Sequence, residues 1–255
     1  MANLDVSILV TRPKAQAHEW LKAFQLQGWA VTSYPTLDIL PLALLPEQKR
    51  FVLDLDLYQG VICISSNAAE LGLELLADYW PQWPVRQDWY AVGPATAAAM
   101  EKWGLKPLTA NQSDSEGLLG LAQLQQVAGQ RFLILKGEGG RETLRETLQA
   151  RGALVDELPL YRRAAPDSDA GPVEHWLESD ADVHITAISS GDGLKNLIVM
   201  AAPCVTDLKE IPLLVVSERL AQFAVSLGFK KVLCAQGVKV AAIMTCIGDF
   251  LKEFQ

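Results

Sequence analysis

The sequence has no apolar run that approaches the roughly 18 residues needed to cross a membrane. Its first residues, MANLDVSILVTRP, lack the basic leader and the small-residue cleavage site of a signal peptide. We therefore expect this segment to be a first β-strand, and the protein to be cytoplasmic with no membrane partner.

Residues suited to metal binding are few and scattered. The three histidines and four cysteines show no ligand spacing and no CxxC pair: His18, His175, His184, Cys63, Cys204, Cys234 and Cys246. We expect reduced, mostly buried thiols, without a structural disulfide and without a metal site.

Positive charge is also scarce. The 22 Lys and Arg residues are outnumbered by 30 Asp and Glu, and the net charge is −8. With no basic stripe, nucleic acid is excluded as an expected partner. A polyanionic ligand would have to be bound by local donors, because the overall field opposes it. The chain is 50% apolar, which is ample for a buried core.

Short runs rich in β-branched and aromatic residues recur along the chain, each followed by a polar turn and a helical pattern. These runs are VSILV (6–10), GVICI (60–64), WYAV (89–92), FLIL (132–135), HITAI (184–188) and LLVV (213–216). Alternation of strand and helix predicts an α/β fold with parallel sheets and crossover helices.

The chain also contains an internal duplication at a constant offset of 124 residues. The matching positions are Gly28 and Gly152, Pro35 and Pro159, Ser65-Ser66 and Ser189-Ser190, and the tripeptides at 104–106 and 228–230. The same order of strand, loop, helix, capping Gly and strand recurs in both halves. We therefore predict two homologous α/β lobes with an active cleft between them.

Two extended, proline-punctuated segments, 33–42 and 157–166, do not fit inside a compact lobe. Proline favours edges or connectors over central strands. Such a pair suits lobes that exchange a segment, but the duplication alone also permits two sequential lobes.

Several strand-to-helix loops are candidate anion sites. KGEGGRE (136–142) has Glu142 where a dinucleotide fingerprint needs its third glycine, and it lacks the GK[ST] of a P-loop. It still offers backbone N–H groups beside Lys136 and Gly137. The alternative is a merely tight turn. In VTRPK (10–14), Arg12 could clamp a carboxylate or be simply solvated.

Hydroxyl residues mark three further positions. SSNAAE (65–70) and SSGDG (189–193) place paired serines after a strand; one of each pair should cap the next helix, and Ser66 and Ser190 could also contact a ligand. No GxSxG elbow supports a nucleophilic serine. Thr96, in AVGPATAAAM, falls in a first helical turn and could equally do no more than complete helix-start hydrogen bonds. Tyr161 lies on the second extended segment, where it could present its hydroxyl to a ligand or only satisfy it internally.

Taken together, the motifs resemble the uroporphyrinogen-III synthase family over essentially the whole chain. The resemblance rests on VTRP (10–13), ISSNA (64–68), VGPATA (92–97), SEGLL (115–119), LKGEGGRETL (135–144), LPLYRR (158–163) and ISSGDGL (188–194). One departure is VVSERLA (215–221), where the family often repeats a VGP/Thr-type loop. No site role is carried over to Ser217 or Arg219.

The resemblance implies two parallel-sheet α/β lobes joined by a two-stranded β linker. One lobe comprises residues 1–35 plus 166–255 and the other comprises 40–160, with 33–42 and 157–166 as connecting strands. It implies cyclisation of hydroxymethylbilane with inversion of ring D and loss of water. It also implies no cofactor, a monomer, and transient handover of substrate from hydroxymethylbilane synthase.

The resemblance makes Tyr161 the candidate general acid at the leaving hydroxyl. The substrate's carboxylates are then expected to be shared among loops at Arg12, Ser66, Thr96, Lys136, Gly137 and Ser190. Two other classes stay open at this point: a two-lobed small-molecule binding or sensor protein, and a nucleotide-dependent transferase or reductase on a doubly wound sheet.

Overall fold

The computed structural model describes residues 4–112, 114–140 and 142–254. The chain divides into two compact units. Unit 1 contains the residues up to Asp38 together with those from Ala164 onward, and unit 2 is the continuous segment Ile39–Arg163.

Unit 1 is built on a five-stranded sheet in the order β10-β9-β8-β1-β2. Every neighbouring pair in it is parallel. Its strands are β1 (Val6–Val10), β2 (Ala30–Ser33), β8 (Val183–Ala187), β9 (Leu213–Val215) and β10 (Val232–Cys234). Its helices are α1 (Lys14–Gln25), α7 (Gly171–Leu177), α8 (Gly191–Met200), α9 (Val205–Glu210), α10 (Glu218–Ser226) and α11 (Val240–Leu251).

Unit 2 has a second five-stranded sheet, in the order β3-β7-β6-β4-β5. The pairs β7–β6, β6–β4 and β4–β5 are parallel. Its strands are β3 (Asp38–Pro41), β4 (Gly60–Cys63), β5 (Asp88–Ala91), β6 (Arg131–Gly137) and β7 (Leu154–Ala164). Its helices are α2 (Lys49–Leu53), α3 (Ser66–Ala77), α4 (Pro94–Glu101), α5 (Ser115–Leu119) and α6 (Thr143–Ala150).

Both sheets are covered on both faces, as parallel sheets require. In unit 1, Val6, Ile8 and Val10 pack with α1 and α11, while Leu9 faces the cluster formed by α7, α8, α9 and α10. In unit 2, one face packs against α3 and α4 and the other against α5 and α6. The predicted α/β class with parallel sheets is confirmed.

The duplication is visible in the strand order. β1, from the first repeat, pairs along its whole length with β8, from the second. In unit 2, β6 from the second repeat pairs with β4 from the first. The outer strand β10 begins at Val232, and its counterpart 124 residues earlier is Leu108, which forms a parallel bridge with Tyr90. Each sheet thus combines strands of both repeats.

Matching glycines perform the same task in the two repeats. Gly28 and Gly152 have φ of 78° and 86°, and Gly104 and Gly228 have φ of 75° and 93°. All four lie just past a helix, where a left-handed residue ends the helix and glycine bears no steric penalty. The backbone geometry therefore repeats where the sequence repeats.

The segment 157–166 differs from the expectation that proline confines it to an edge or connector. Pro159 lies inside β7, an eleven-residue strand that sits between β3 and β6, and it faces Lys136. The strand tolerates it because the register shifts between Lys136 and Gly137, and a bulge there relaxes the hydrogen-bond ladder. Tyr161 is therefore a buried strand residue, 2% exposed, rather than a linker residue.

Candidate functional site

Most of the predicted site residues lie at the carboxyl ends of strands, the edge where open parallel sheets bind ligands. In unit 1, Arg12 follows β1 and Ser190 follows β8. In unit 2, Ser66 follows β4 and Thr96 follows β5. Each of these strands feeds a helix N-terminus, so backbone N–H groups gather at the same edge.

Tyr161 lies against two of the other motifs in unit 2. Its hydroxyl is 3.0 Å from Oγ of Ser65, and either oxygen can be the donor. Its ring lies over Gly137, where an added methyl group would come within 2.7 Å of Cζ. The backbone N–H of Glu138 donates to the Tyr161 carbonyl at 2.7 Å. The phenol is thus held at the carboxyl ends of β4 and β6.

The serine pairs divide their tasks. Ser65, not Ser66, caps α3, because its Oγ accepts from the N–H of Ala68 at 3.0 Å. Ser190 caps α8 by accepting from Gly193 at 3.0 Å. The prediction that one serine of each pair caps a helix is confirmed. The constant offset would have aligned Ser66 with Ser190, and the loop after β8 is therefore one residue longer than the loop after β4.

Arg12 is partly buried against α1 instead of being freely solvated. Its guanidinium carbon lies 4.6 Å from the ring centroid of Trp20, which is fully buried and donates through Nε1 to the Val238 carbonyl. Burial lowers the pKa of Arg12, an effect that the Glu19 carboxylate partly offsets. Nε of Arg12 is buried without a hydrogen-bond partner in the part of the chain that the structure describes. A guanidinium held in place by stacking on an aromatic ring is well suited to pairing with a carboxylate.

Lys136 is placed differently from the expectation of a cation free for ligand binding. Its side chain is 7% exposed and its ammonium lies 2.9 Å from Oε1 of Glu157 on the neighbouring strand. Oε2 of the same carboxylate lies 3.4 Å from Arg145. The charge of Lys136 is therefore already balanced within unit 2. The glycine loop that follows turns through Gly139 and Gly140, with φ of 70° and 89°.

Thr96 is the third residue of α4 and is only 3% exposed. The N-cap of this helix is Gly93, which has no side chain, so no side-chain acceptor caps the first turn. The first-turn amides of α4 thus have no capping side chain that an anion would need to displace.

Sequence reasoning missed a threonine pair that supports the unit 1 loops. Oγ1 of Thr11 donates to the Ala187 carbonyl at 2.9 Å, and Oγ1 of Thr36 donates to the Thr11 carbonyl at 3.3 Å. Nδ2 of Asn196 donates to the Thr36 carbonyl at 2.8 Å. These bonds fix the ends of β1 and β8 beside Arg12. The sequence features that could have indicated this pair are the positions of Thr11 in VTRP and of Thr36 in the extended segment 33–42.

Two kinds of site are absent from the described ranges. They contain no group of three or more His, Cys, Asp or Glu side chains that could hold a metal ion. None of the described helices is long and apolar enough to cross a membrane.

Comparison with known proteins gives a consistent result. The family described as "Uroporphyrinogen-III synthase HemD" matches residues 18–245. A protein of Escherichia coli (strain K12) named uroporphyrinogen-III synthase is 32% identical over 246 residues, which cover 95% of this chain and 100% of that protein. A protein of the same name from Salmonella typhimurium is 32% identical over 95% of this chain and 100% of its own length.

Solved structures share the fold. A mutant uroporphyrinogen III synthase from the extremely thermophilic bacterium Thermus thermophilus aligns with a TM-score of 0.65 at 17% identity, covering 98% of this chain and 99% of that one. The uroporphyrinogen-III synthetase of Helicobacter pylori 26695 aligns with a TM-score of 0.60 at 11% identity, over 97% and 100% of the two chains. At these identities the structures support the architecture, while the sequence relationship identifies the family. The chain belongs to the uroporphyrinogen-III synthase family.

Proposed function

We propose that this chain cyclises hydroxymethylbilane to uroporphyrinogen III, with inversion of ring D and loss of water, in tetrapyrrole biosynthesis. The observation that carries the proposal is the relationship to the Escherichia coli enzyme over that protein's full length. Membership of this family makes the chain an enzyme. The synthase function is therefore favoured over the alternative of a two-lobed binding or sensor protein. The fold alone would not separate the two.

The main task of the protein in this reaction is to hold the substrate in the reactive orientation. Protonation of the terminal hydroxyl releases water and leaves an azafulvene cation. The substituted carbon of ring D attacks that cation to give a spiro intermediate, which fragments and recloses with ring D inverted; loss of a ring proton restores the acid. Orientation of reacting groups alone can supply about 7–11 kcal/mol of a barrier. The side-chain chemistry required is one acid at the leaving hydroxyl.

Tyr161 is the residue we propose for that acid. Its phenol reaches the carboxyl end of β4, beside the N-terminus of α3, where a departing water and a developing phenolate would meet positive helix-end charge. The side chain is only 2% exposed, and its hydroxyl contacts Ser65 in the loop between β4 and α3. Burial excludes competing water from the proton transfer.

We further propose that the substrate's carboxylates are shared among several loops rather than bound by one basic pocket. With a net charge of −8, attraction has to come from local donors. Arg12 offers a stacked guanidinium, the helices that begin near Ser66, Thr96 and Ser190 offer first-turn N–H groups, and Gly137 offers main chain at the end of β6. Lys136 contributes least to this set, because Glu157 already neutralises it.

The finer organisation belongs to the same proposal. Unit 1 and unit 2 are independent folding domains, one discontinuous and one continuous. The segments 33–42 and 157–166 connect them as two strands, and part of each segment also belongs to the unit 2 sheet, as β3 and β7. The enzyme acts as a monomer, takes its substrate by transient handover from hydroxymethylbilane synthase, and needs no cofactor.

A coupled assay tests the activity directly. Porphobilinogen and a hydroxymethylbilane synthase generate the substrate in situ, and the oxidised porphyrins are separated into isomers I and III. Unaided cyclisation gives the uninverted isomer I, so we expect isomer III to dominate only when the chain is present. An unchanged excess of isomer I, with binding of hydroxymethylbilane retained, would instead favour the binding-protein alternative.

A further inference from the structure

Ser65 makes two hydrogen bonds that belong to different parts of unit 2. Its Oγ accepts from the backbone N–H of Ala68 at 3.0 Å and so caps α3, a helix of 12 residues. The same oxygen lies 3.0 Å from the hydroxyl of Tyr161, 96 residues further along the chain. A cap needs only the first bond, so the second requires a separate account.

We infer that Ser65 is a positioning residue for Tyr161: it donates its hydroxyl proton to the phenol oxygen and thereby turns the phenol proton toward the substrate. The inference rests on the proposed function, since it assumes that Tyr161 is the acid. A serine hydroxyl has one proton and two lone pairs. Because Ala68 occupies one lone pair, the contact with Tyr161 uses either the other lone pair or the proton.

The cap favours donation by Ser65. An N–H group that donates to Oγ withdraws charge from the oxygen, which makes its proton a better donor and its remaining lone pair a poorer acceptor. The partial positive charge at the start of α3 acts in the same direction. With Ser65 as donor, the phenol keeps its own proton available for the leaving hydroxyl. With the opposite arrangement that proton would be committed to Ser65.

Other contacts leave the hydroxyl torsion as the main freedom of Tyr161. The ring is held against Gly137, whose lack of a side chain allows this approach, and the Tyr161 carbonyl accepts from Glu138. The first repeat has no equivalent phenol, because the residue 124 positions before Tyr161 is Leu37. Ser217, which caps α10 through Leu220 at 3.3 Å, provides a cap of the same type outside the proposed machinery.

The test compares Ser65→Ala, Ser65→Thr and Ser65→Asp with Ser217→Ala and Tyr161→Phe, using the coupled assay and thermal unfolding. We expect Ser65→Ala to lower kcat about 10-fold, the loss from one hydrogen bond, with little change in KM. Threonine keeps both the acceptor and the proton and should restore turnover. Ionised aspartate keeps the cap but has no proton to donate, so Ser65→Asp should be folded and as slow as Ser65→Ala.

The remaining variants separate positioning from stability. Ser217→Ala removes a cap but no second hydrogen bond, so it should lose some thermal stability, less than Ser65→Ala, while retaining wild-type kcat. The double variant Ser65→Ala/Tyr161→Phe should be no slower than Tyr161→Phe alone, since a positioning residue has no effect without the group it positions. Wild-type kcat in Ser65→Ala or Ser65→Asp, or additive losses in the double variant, would overturn the inference. Failure of the proposed function would show itself separately, as wild-type protein that makes no isomer III.

Discussion

At the scale of single residues, the hydroxyl of Tyr161 should matter more to turnover than to folding. Its removal in Tyr161→Phe takes away one hydrogen bond, that to Ser65, and keeps the ring on Gly137. General acids typically contribute about 100- to 10,000-fold, and we expect the lower end because the substrate also cyclises unaided. Stability should fall by about 0.5–1.5 kcal/mol.

A matched control for this substitution is Tyr58→Phe. Tyr58 is also buried and its hydroxyl donates to Asp156 at 2.8 Å, at the opposite ends of the strands. We expect a similar loss of stability without loss of turnover. Steady-state kinetics and denaturant titration of both variants decide the matter, and full activity of Tyr161→Phe would remove Tyr161 from the mechanism.

Gly137 should be intolerant of even one added carbon. In Gly137→Ala the new methyl group would lie 2.7–3.0 Å from three atoms of the Tyr161 side chain, so the ring or the strand has to move. Such overpacking costs about 1–3 kcal/mol, and we expect kcat to fall together with the melting temperature. Gly248→Ala, in α11 with open space around the new carbon, should leave both unchanged or stabilise slightly. Equal behaviour of the two variants in unfolding and turnover assays would contradict this account.

The residue scale is also where the sequence was least informative. The pattern placed Tyr161 near a ligand, but it could not show that β7 would carry Tyr161 into a core opposite Gly137, since that pairing joins residues 24 positions apart across a bulge. It likewise could not show that Glu157 neutralises Lys136. Both facts depend on strand register. Hydrophobic patterning shows which face of the sheet a residue lies on, but not which residue lies opposite it on the neighbouring strand.

At the scale of elements, the strand–loop–helix units should share substrate binding. Backbone donors remain when a side chain is truncated. We therefore expect only a modest rise in KM, equivalent to a loss of about 0.5–1.5 kcal/mol of binding free energy, in each of Ser66→Ala, Thr96→Ala and Ser190→Ala. Arg12→Ala should cost more, because charge-assisted pairs are roughly twice as strong as neutral ones. Initial-rate measurements with the isomer ratio for every variant provide the test, with Ser217→Ala as the control.

A single dominant anchor would give a different pattern in that series. One variant alone would then lose binding while the others behaved as wild type, and shared anchoring would be wrong. Because Ser190 also caps α8, its effect on KM has to be compared with its effect on unfolding. A shift in stability that matches Ser217→Ala, together with a raised KM, would assign Ser190 to both tasks.

Elements were the best predicted level. Five-residue runs such as VSILV coincide with β1, and the pairing of Gly28 with Gly152 marks two helix ends of the same conformation. The short outer strand β10 was not expected, because three half-buried residues carry too little pattern. The sequence predicted that one serine of each pair caps a helix. It could not show that the first cap is Ser65 rather than Ser66, because the loop after β8 is one residue longer than the loop after β4.

At the scale of the whole molecule, the division into units makes a prediction about fragments. Unit 2 is continuous, so a fragment of residues 39–163 should unfold cooperatively by itself. A fragment of residues 1–125 contains β1 and β2 but not β8, and because two strands alone are marginally stable, its residues 6–10 should lack amide protection. Hydrogen exchange on both fragments gives the answer. Native-like protection of residues 6–10 in the second fragment would show that β1 does not depend on the C-terminal part of the chain.

The pairing of β1 with β8 also has a consequence for synthesis on the ribosome. β1 is made first, but β8 starts only about 170 residues later, a delay of roughly 10–35 seconds at 5–20 residues per second. Throughout that interval β1 can pair only with β2, and Ile8, Leu9 and Val10, all fully buried in the finished protein, lack the rest of their sheet. Unit 2 is complete before β8 leaves the ribosome. The nascent chain therefore carries an exposed apolar strand while unit 2 is already complete. We expect chaperones to act on this N-terminal strand.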